Sequence, residues 1–290
     1  MNSPAREPHA ASTLDSLEPV VLPGAGWFDL RAGEGVYRIF VATPRSPAPA
    51  EGFPVIYMLD ANAGFATFVE VMRRGTVRPA ATGMGEVVIV GIGYPEGVDA
   101  RARRSLDYTG GPQAGESGGP ARRHGGRDAF LGFIENVLKP RIAQAIQLDA
   151  SRKTLFGHSL AGWFVLDVMA RNRAAFSTYV AVSPSIWWDE ARLEEGLLHP
   201  QEASPRLALM VGEWEQALAP WQQARPEAAE MAERRERRAM VDRTRAFAAR
   251  AATVLGEEQV SFELLAGEDH ASVLPPAMAR ALRLAVSGGR

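Results

Sequence analysis

The stretch Lys153-Thr-Leu-Phe-Gly-His-Ser-Leu-Ala-Gly162 runs straight into the apolar segment Trp163-Phe-Val-Leu166. Its first half has strand character and its second half helical character, and a serine stands at the junction. A chain that turns sharply from strand to helix at a serine exposes the hydroxyl and strains the backbone, so the residues two before and two after must be small. Gly157 and Ala161 occupy those places. This marks Ser159 as a candidate nucleophile.

Outward from this junction, strand-like and helix-like segments alternate. Val55–Leu59, Glu86–Val90, Lys153–His158, Thr178–Val182, Leu207–Val211 and Gln259–Leu265 read as buried strands. Phe65–Arg73, Asp128–Ile146, Ala161–Asn172 and Ser272–Val286 read as helices, the second interrupted at Pro140. Trp27–Leu30 and Val36–Ala42 suggest an opening hairpin. Such alternation predicts an α/β fold, a mostly parallel central sheet with helices on both faces. Residues 1–19 read as a loose arm and 20–290 as one domain. Residues 109–126 are a glycine-rich loop, and 219–252 a helical cover segment that could move as a lid.

The composition is that of an ordinary soluble protein: 290 residues, 46% hydrophobic, 23% charged, net charge -2. The charge argues against non-specific nucleic-acid binding, and no apolar run is long enough to span a bilayer. The absence of cysteine excludes disulfides and thiol nucleophiles. The N-terminus lacks the layout of a secretory signal, which makes a cytoplasmic location the expectation.

A serine hydroxyl needs a base to take its proton, and the base needs an orienting acid. On an α/β-hydrolase sheet these follow in the order Ser, acid, His, beyond the carboxyl ends of strands. His270 stands just past the last strand and is one of five histidines in the chain. The preceding strand runs into Gly212-Glu-Trp-Glu215, which offers Glu215 as the acid and Glu213 as the fallback. His158 reads as structural, and His124 as a weak competitor for a substrate contact. The backbone N–H groups of Leu160 and Asn62 are the expected oxyanion donors. No metal or other cofactor is required.

These residues resemble the esterase D-like branch of the α/β-hydrolases, and within it the trilactone siderophore esterases. The resemblance runs from about Val36 to His270. It is carried by Tyr57-Met-Leu-Asp-Ala-Asn62, Val90-Gly-Ile-Gly-Tyr94, Arg104-Ser-Leu-Asp-Tyr-Thr109, Phe130-Leu-Gly-Phe-Ile-Glu135, Leu155-Phe-Gly-His-Ser-Leu-Ala-Gly162, Ser183-Pro-Ser-Ile-Trp-Trp188, Val211-Gly-Glu-Trp-Glu215 and Gly267-Glu-Asp-His270. It implies hydrolysis of ester bonds in catecholate siderophores such as enterobactin, free or ferric, with Ser159 as nucleophile, His270 as base and Glu215 as acid. Arg104 matches a position that contacts the anionic siderophore. Ala161 and Ala61 stand where the family usually has glycine.

A ferric tris-catecholate is bulky, aromatic and anionic, and a pocket for it wants arginines and flat apolar surfaces. Arg101, Arg103 and Arg104 form a cationic cluster in the expected loop after the 86–90 strand. Trp187 and Trp188 follow another strand, and Trp214 sits beside the acid. Arg104 and Trp187 are the expected substrate contacts. Two other functions fit the same residues: a general carboxylesterase or acyltransferase for small acyl esters or thioesters, and a hydrolase-like protein that binds without turnover.

Overall fold

Continuous apolar runs build the centre of the sheet. The computed structural model describes residues 17, 19–33, 35–112 and 123–287. The strands are β1 (Ala25–Ala32), β2 (Gly35–Ala42), β3 (Phe53–Leu59), β4 (Val88–Gly93), β5 (Leu148–His158), β6 (Thr178–Val182), β7 (Arg206–Gly212) and β8 (Val260–Leu265). They form one eight-stranded sheet in the order β1-β2-β4-β3-β5-β6-β7-β8. β1, β2 and β4 pair antiparallel, and every pairing from β4 to β8 is parallel. Every residue of β3 is buried. Val55, Tyr57 and Leu59 enter one core while Ile56 and Met58 enter the other, the two-residue alternation of a strand covered on both faces.

The helices are α1 (Ala61–Gly75), α2 (Pro79–Thr82), α3 (Ala100–Tyr108), α4 (Arg127–Phe133), α5 (Lys139–Ala145), α6 (Leu160–Arg171), α7 (Glu190–Leu198), α8 (Ala228–Arg238), α9 (Met240–Leu255) and α10 (Leu274–Val286). α1 and α10 cover the face that holds Ile56, Phe156 and Val180. The elements from α4 to α7, with α9, cover the face that holds Tyr57, Leu155 and Tyr179. Each large side chain fully buried in these cores is worth about 1.5–3 kcal/mol. The adjacent strands β3 and β5 thus send their helices, α1 and α6, to opposite faces. That divergence opens a crevice at the carboxyl ends of the strands, where ligands bind in open α/β sheets.

Three local features differ from the sequence reading. Arg101, Arg103 and Arg104 lie on a helix, not in a loop: Asp99 caps α3 by accepting from the Ala102 N–H at 3.0 Å. The helix expected to break at Pro140 instead widens into a π-turn over Ile134–Leu138, with the Lys139 N–H bonded to the Ile134 carbonyl. That turn absorbs the missing proline N–H and lets α5 continue. Finally, the 219–252 segment is not one helix. A 3-10 turn (Pro220–Gln222) and α8 precede Ala239, whose φ of 44° breaks the helix, and α9 then packs into the core through Phe247, Ala248 and Ala251. The expected arm at 1–19 lies mostly outside the described residues, as does 113–122 of the glycine-rich loop.

Candidate active site

Ser159 sits at the tip of the turn from β5 to α6, with φ 60° and ψ -120°. A non-glycine residue holds this conformation only where the surroundings over-determine it. Here the Ser159 N–H donates to the Val182 carbonyl at 2.9 Å, and the Ser159 carbonyl accepts from Ser185 and Trp163, both at 3.0 Å. A Cβ on Gly157 would lie 2.5 Å from the Ala161 carbonyl oxygen, so only glycine fits there. Ala161 is fully buried, and its methyl is accommodated where the family usually has glycine.

The two expected partners of Ser159 meet it. His270 Nε2 lies 3.0 Å from Ser159 Oγ, and His270 Nδ1 lies 2.6 Å from Glu215 Oε2. Glu215 follows β7 on a short 3-10 turn and is 4% exposed. Its other oxygen, Oε1, accepts from the Gly212 N–H at 2.8 Å and from the Ser183 hydroxyl. Burial alone would raise this carboxyl's pKa. The His270 hydrogen bond and charge, with the donors from Ser183 and Gly212, outweigh burial and hold it below the ordinary value. Glu213 is engaged elsewhere, accepting from the Gly267 N–H at 2.7 Å.

The loop bearing His270 is fastened at both ends. Asp269 Oδ1 accepts from the N–H groups of Ala271 and Ser272 at 2.9 and 3.0 Å. The Trp214 N–H donates to the Glu268 carbonyl at 2.9 Å. A Cβ on Gly212 would come within 2.6 Å of that same carbonyl oxygen, so glycine lets the two loops touch. His158, read as structural, packs its ring 4.6 Å from that of His270. Burial first, then the neighbouring His270, lowers its pKa to about 4, so it stays neutral beside the imidazole.

Leu160 opens α6 and lines the cavity in front of Ser159. Its N–H belongs to the first turn, where backbone donors have no intrahelical acceptor. Asn62 is placed differently. Its side chain is committed to Tyr94, accepting from the Tyr94 N–H at 2.8 Å and donating to the Tyr94 carbonyl at 2.9 Å, and it does not line the cavity. Only its backbone N–H, in the first turn of α1, is left for the expected role. Gly91 and Gly93 make room for this turn: added Cβ atoms would lie 2.6 Å from the Ala61 Cβ and 2.2 Å from Asn62 Oδ1.

The cavity over Ser159 has a volume of about 470 Å³, within the usual range for small-molecule sites. Arg101, Arg104, Arg234, Arg235 and Arg238 line it, with Trp187, Trp188 and Ser185. Arg104 is held by Asp60 at 2.7 Å, which also accepts from the Tyr108 hydroxyl at 3.0 Å. Arg103, expected in the same cluster, points away and binds Tyr37 and Asp107 at 2.8 and 3.1 Å. Trp187 carries the Arg238 guanidinium 4.5 Å above its ring. Trp214 stacks edge-on with Trp221 outside the cavity. His124 binds the Thr109 hydroxyl at 3.0 Å and lies behind Trp188. The arginines of α8 were missed in the sequence reading, although Met231, Arg234, Arg235 and Arg238 stand at the i, i+3, i+4, i+7 spacing of one helix face.

Among the described residues, no cluster of His, Asp and Glu could hold a metal ion, and no helix is long and apolar enough to cross a membrane. A mostly parallel sheet with a serine on the turn after β5, followed in the chain by an acid after β7 and a histidine after β8, defines an α/β-hydrolase. The chain belongs to the Esterase family ("Putative esterase"), which matches residues 33–260, and it is a carboxylic ester hydrolase. It is 37% identical over 265 residues to the ferri-bacillibactin esterase BesA of Bacillus subtilis, covering 86% of this chain and 84% of that protein. It is 32% identical over 289 residues to a siderophore enterobactin esterase of Emericella nidulans, covering 88% and 90%. Among solved structures, the siderophore hydrolase EstB from Aspergillus nidulans superposes with a TM-score of 0.80 at 29% identity, over 93% of this chain and 97% of that one.

Proposed function

We propose that this chain is a serine esterase that hydrolyses ester bonds of a catecholate trilactone siderophore, free or ferric, through an acyl-enzyme. The observation that carries this reading is the unbroken hydrogen-bonded chain Glu215–His270–Ser159 opening into an arginine- and tryptophan-lined cavity. His270 Nε2 takes the proton from Ser159 Oγ as that oxygen attacks the ester carbonyl. The Glu215 carboxylate fixes the proton of His270 on Nδ1 and stabilises the imidazolium that forms. The Leu160 N–H faces the developing oxyanion, with Asn62 N–H as the second donor. Each such donor is worth about a hundred- to a thousand-fold in rate. His270 then passes its proton to the departing alkoxide. Water, deprotonated by the same imidazole, attacks the acyl-enzyme and releases the acid and Ser159.

The substrate class follows from the cavity's charge. Arg104 is paired with Asp60, but among the described residues Arg101, Arg234 and Arg238 have no carboxylate partner, and the one carboxylate lining the cavity, Glu215, is engaged by His270, Ser183 and Gly212. A site with uncompensated cations and a flat indole suits an anionic aromatic ligand. The relatives named for ferri-bacillibactin and enterobactin support the same choice.

The test compares ferric enterobactin, iron-free enterobactin and p-nitrophenyl acetate, with products identified by mass. Preferred cleavage of the siderophores into linear fragments is the expected outcome. Activity confined to the small ester would leave a general carboxylesterase. A well-folded protein that no fluorophosphonate labels would be a binding protein instead.

A further inference from the structure

The cavity wall is built from two kinds of structure. Ser159, Ser185 and His270 come from the ends of core strands, whereas Met231, Arg234, Arg235 and Arg238 come from α8, none of whose residues is buried. α8 joins the molecule at Ala239, a left-handed residue with φ 44° and ψ 48°, beyond which Met240 is already core. On this helix the arginines are not equivalent. Arg235 is committed, donating to the Ala217 carbonyl at 2.5 Å and to Gln222 Oε1 at 2.8 Å. Arg237 faces away and pairs with Glu233 at 2.6 Å. Arg234 and Arg238 have no carboxylate partner among the described residues. Arg238 lies over Trp187, its charge disfavoured by partial loss of water there and then by the cations of Arg234 and Arg237. Two unpaired like charges at i, i+4 repel on an isolated helix, and an anion between them turns that repulsion into attraction.

We propose that Arg234 and Arg238 are the charge-specificity residues of this esterase: they hold the anionic aromatic part of the substrate against Trp187 while Ser159 acts on the ester. They touch the substrate and act on its binding, not on the reacting atoms. The inference rests on the siderophore reading only for its choice of ester. The shared chemistry is an anionic catecholate.

The experiment uses the full chain and its Arg234→Gln, Arg238→Gln, doubly substituted and Arg237→Gln variants. For each, kcat and KM are measured on ferric enterobactin and on p-nitrophenyl acetate. The expected result is a rise in KM for the ferric substrate of about tenfold per cavity arginine, the size of one lost charge-assisted contact. The selectivity ratio between the two esters should fall in proportion, and Arg237→Gln should leave it in place. A second arm titrates Ser159→Ala protein, with and without the double substitution, with a ferric tris-catecholate that contains no ester, read by tryptophan quenching. Weaker binding in the double variant supports the assignment. A ratio and an affinity that do not move, or that move equally in Arg237→Gln, overturn it. Wild-type protein that binds the ester-free probe through these arginines but cleaves no siderophore would overturn the proposed reaction and leave this inference standing.

Discussion

Ser159 and Ala239 share an unusual backbone, each a non-glycine residue with positive φ, at 60° and 44°. They are held in opposite ways. Around Ser159, a hydrogen bond to the Val182 carbonyl, hydrogen bonds from the Ser185 and Trp163 N–H groups, and a helix buried from Ala161 to Ala170 fix the geometry. Ala239 has buried core on one side only, where α9 begins, and the exposed α8 on the other. One strained residue holds the hydroxyl proposed to react, and the other connects the exposed, arginine-bearing α8 to the core. The contrast teaches that one cavity is lined by two kinds of structure, a tightly determined turn and an exposed arginine-bearing helix, on separate pieces of chain.

The contrast can be tested from its strong end. Ser159→Ala should reduce kcat on any ester by about a million-fold, to the residue left when a nucleophile is deleted. Turnover within about a hundredfold of wild type would mean that the reaction does not pass through this serine. Glu215→Gln should cost about ten-thousand-fold in kcat with the fold retained, because His270 loses the partner that fixes its tautomer. The same group gives a pH signature. Its pKa is held below the ordinary 4.5 in the folded state. Its contribution to stability is therefore complete above that value and is lost as pH falls through the lowered one. Wild-type melting temperature should drop more steeply than that of Glu215→Gln below about pH 4.5, as scanning calorimetry at a series of pH values would show.

Gly157→Ala sharpens the claim that the elbow is over-determined. Its methyl meets the Ala161 carbonyl, and overpacking of this kind costs about 1–3 kcal/mol, measurable by denaturant unfolding. A variant as stable as wild type would show slack in the turn. The smallest effect is expected at Ala239. Ala239→Gly removes a left-handed penalty of about 1–2 kcal/mol while adding roughly 0.5–1 kcal/mol of chain entropy, so stability should rise by less than about 1.5 kcal/mol. A clear loss would mean that the Ala239 methyl is packed and that the joint is as rigid as the elbow.

Much of this arrangement was legible beforehand, for identifiable reasons. The buried strands announce themselves as apolar runs, and the small residues around Ser159 follow from the geometry of one turn. Glu215 and His270 were found because strand ends limit where partners can stand. Harder to see was α3, whose buried residues include Ser105 and Asp107 and whose pattern is therefore not apolar. The break at Ala239 has no sequence signal, since alanine is a good helix former. The contact of Ser183 with Glu215 is also invisible in the sequence: its hydroxyl reaches that carboxylate only because β6 and β7 lie side by side. The α8 arginines were readable in principle. Their spacing places them on one helix face, but nothing in the sequence says that this face turns toward Ser159.

Gly212 has a consequence for how errors spread through the site. Because it lacks a side chain, the loop after β7 and the loop after β8 lie in contact and share the Trp214–Glu268 and Glu213–Gly267 bonds. Glu215 and His270 therefore ride on one stapled platform, although 55 residues separate them. A displacement of either loop would be carried into the other through these bonds, so the distance between Glu215 and His270 should vary less than the position of each. Any drift at the sheet edge is then felt mainly at the remaining junction, between His270 and Ser159.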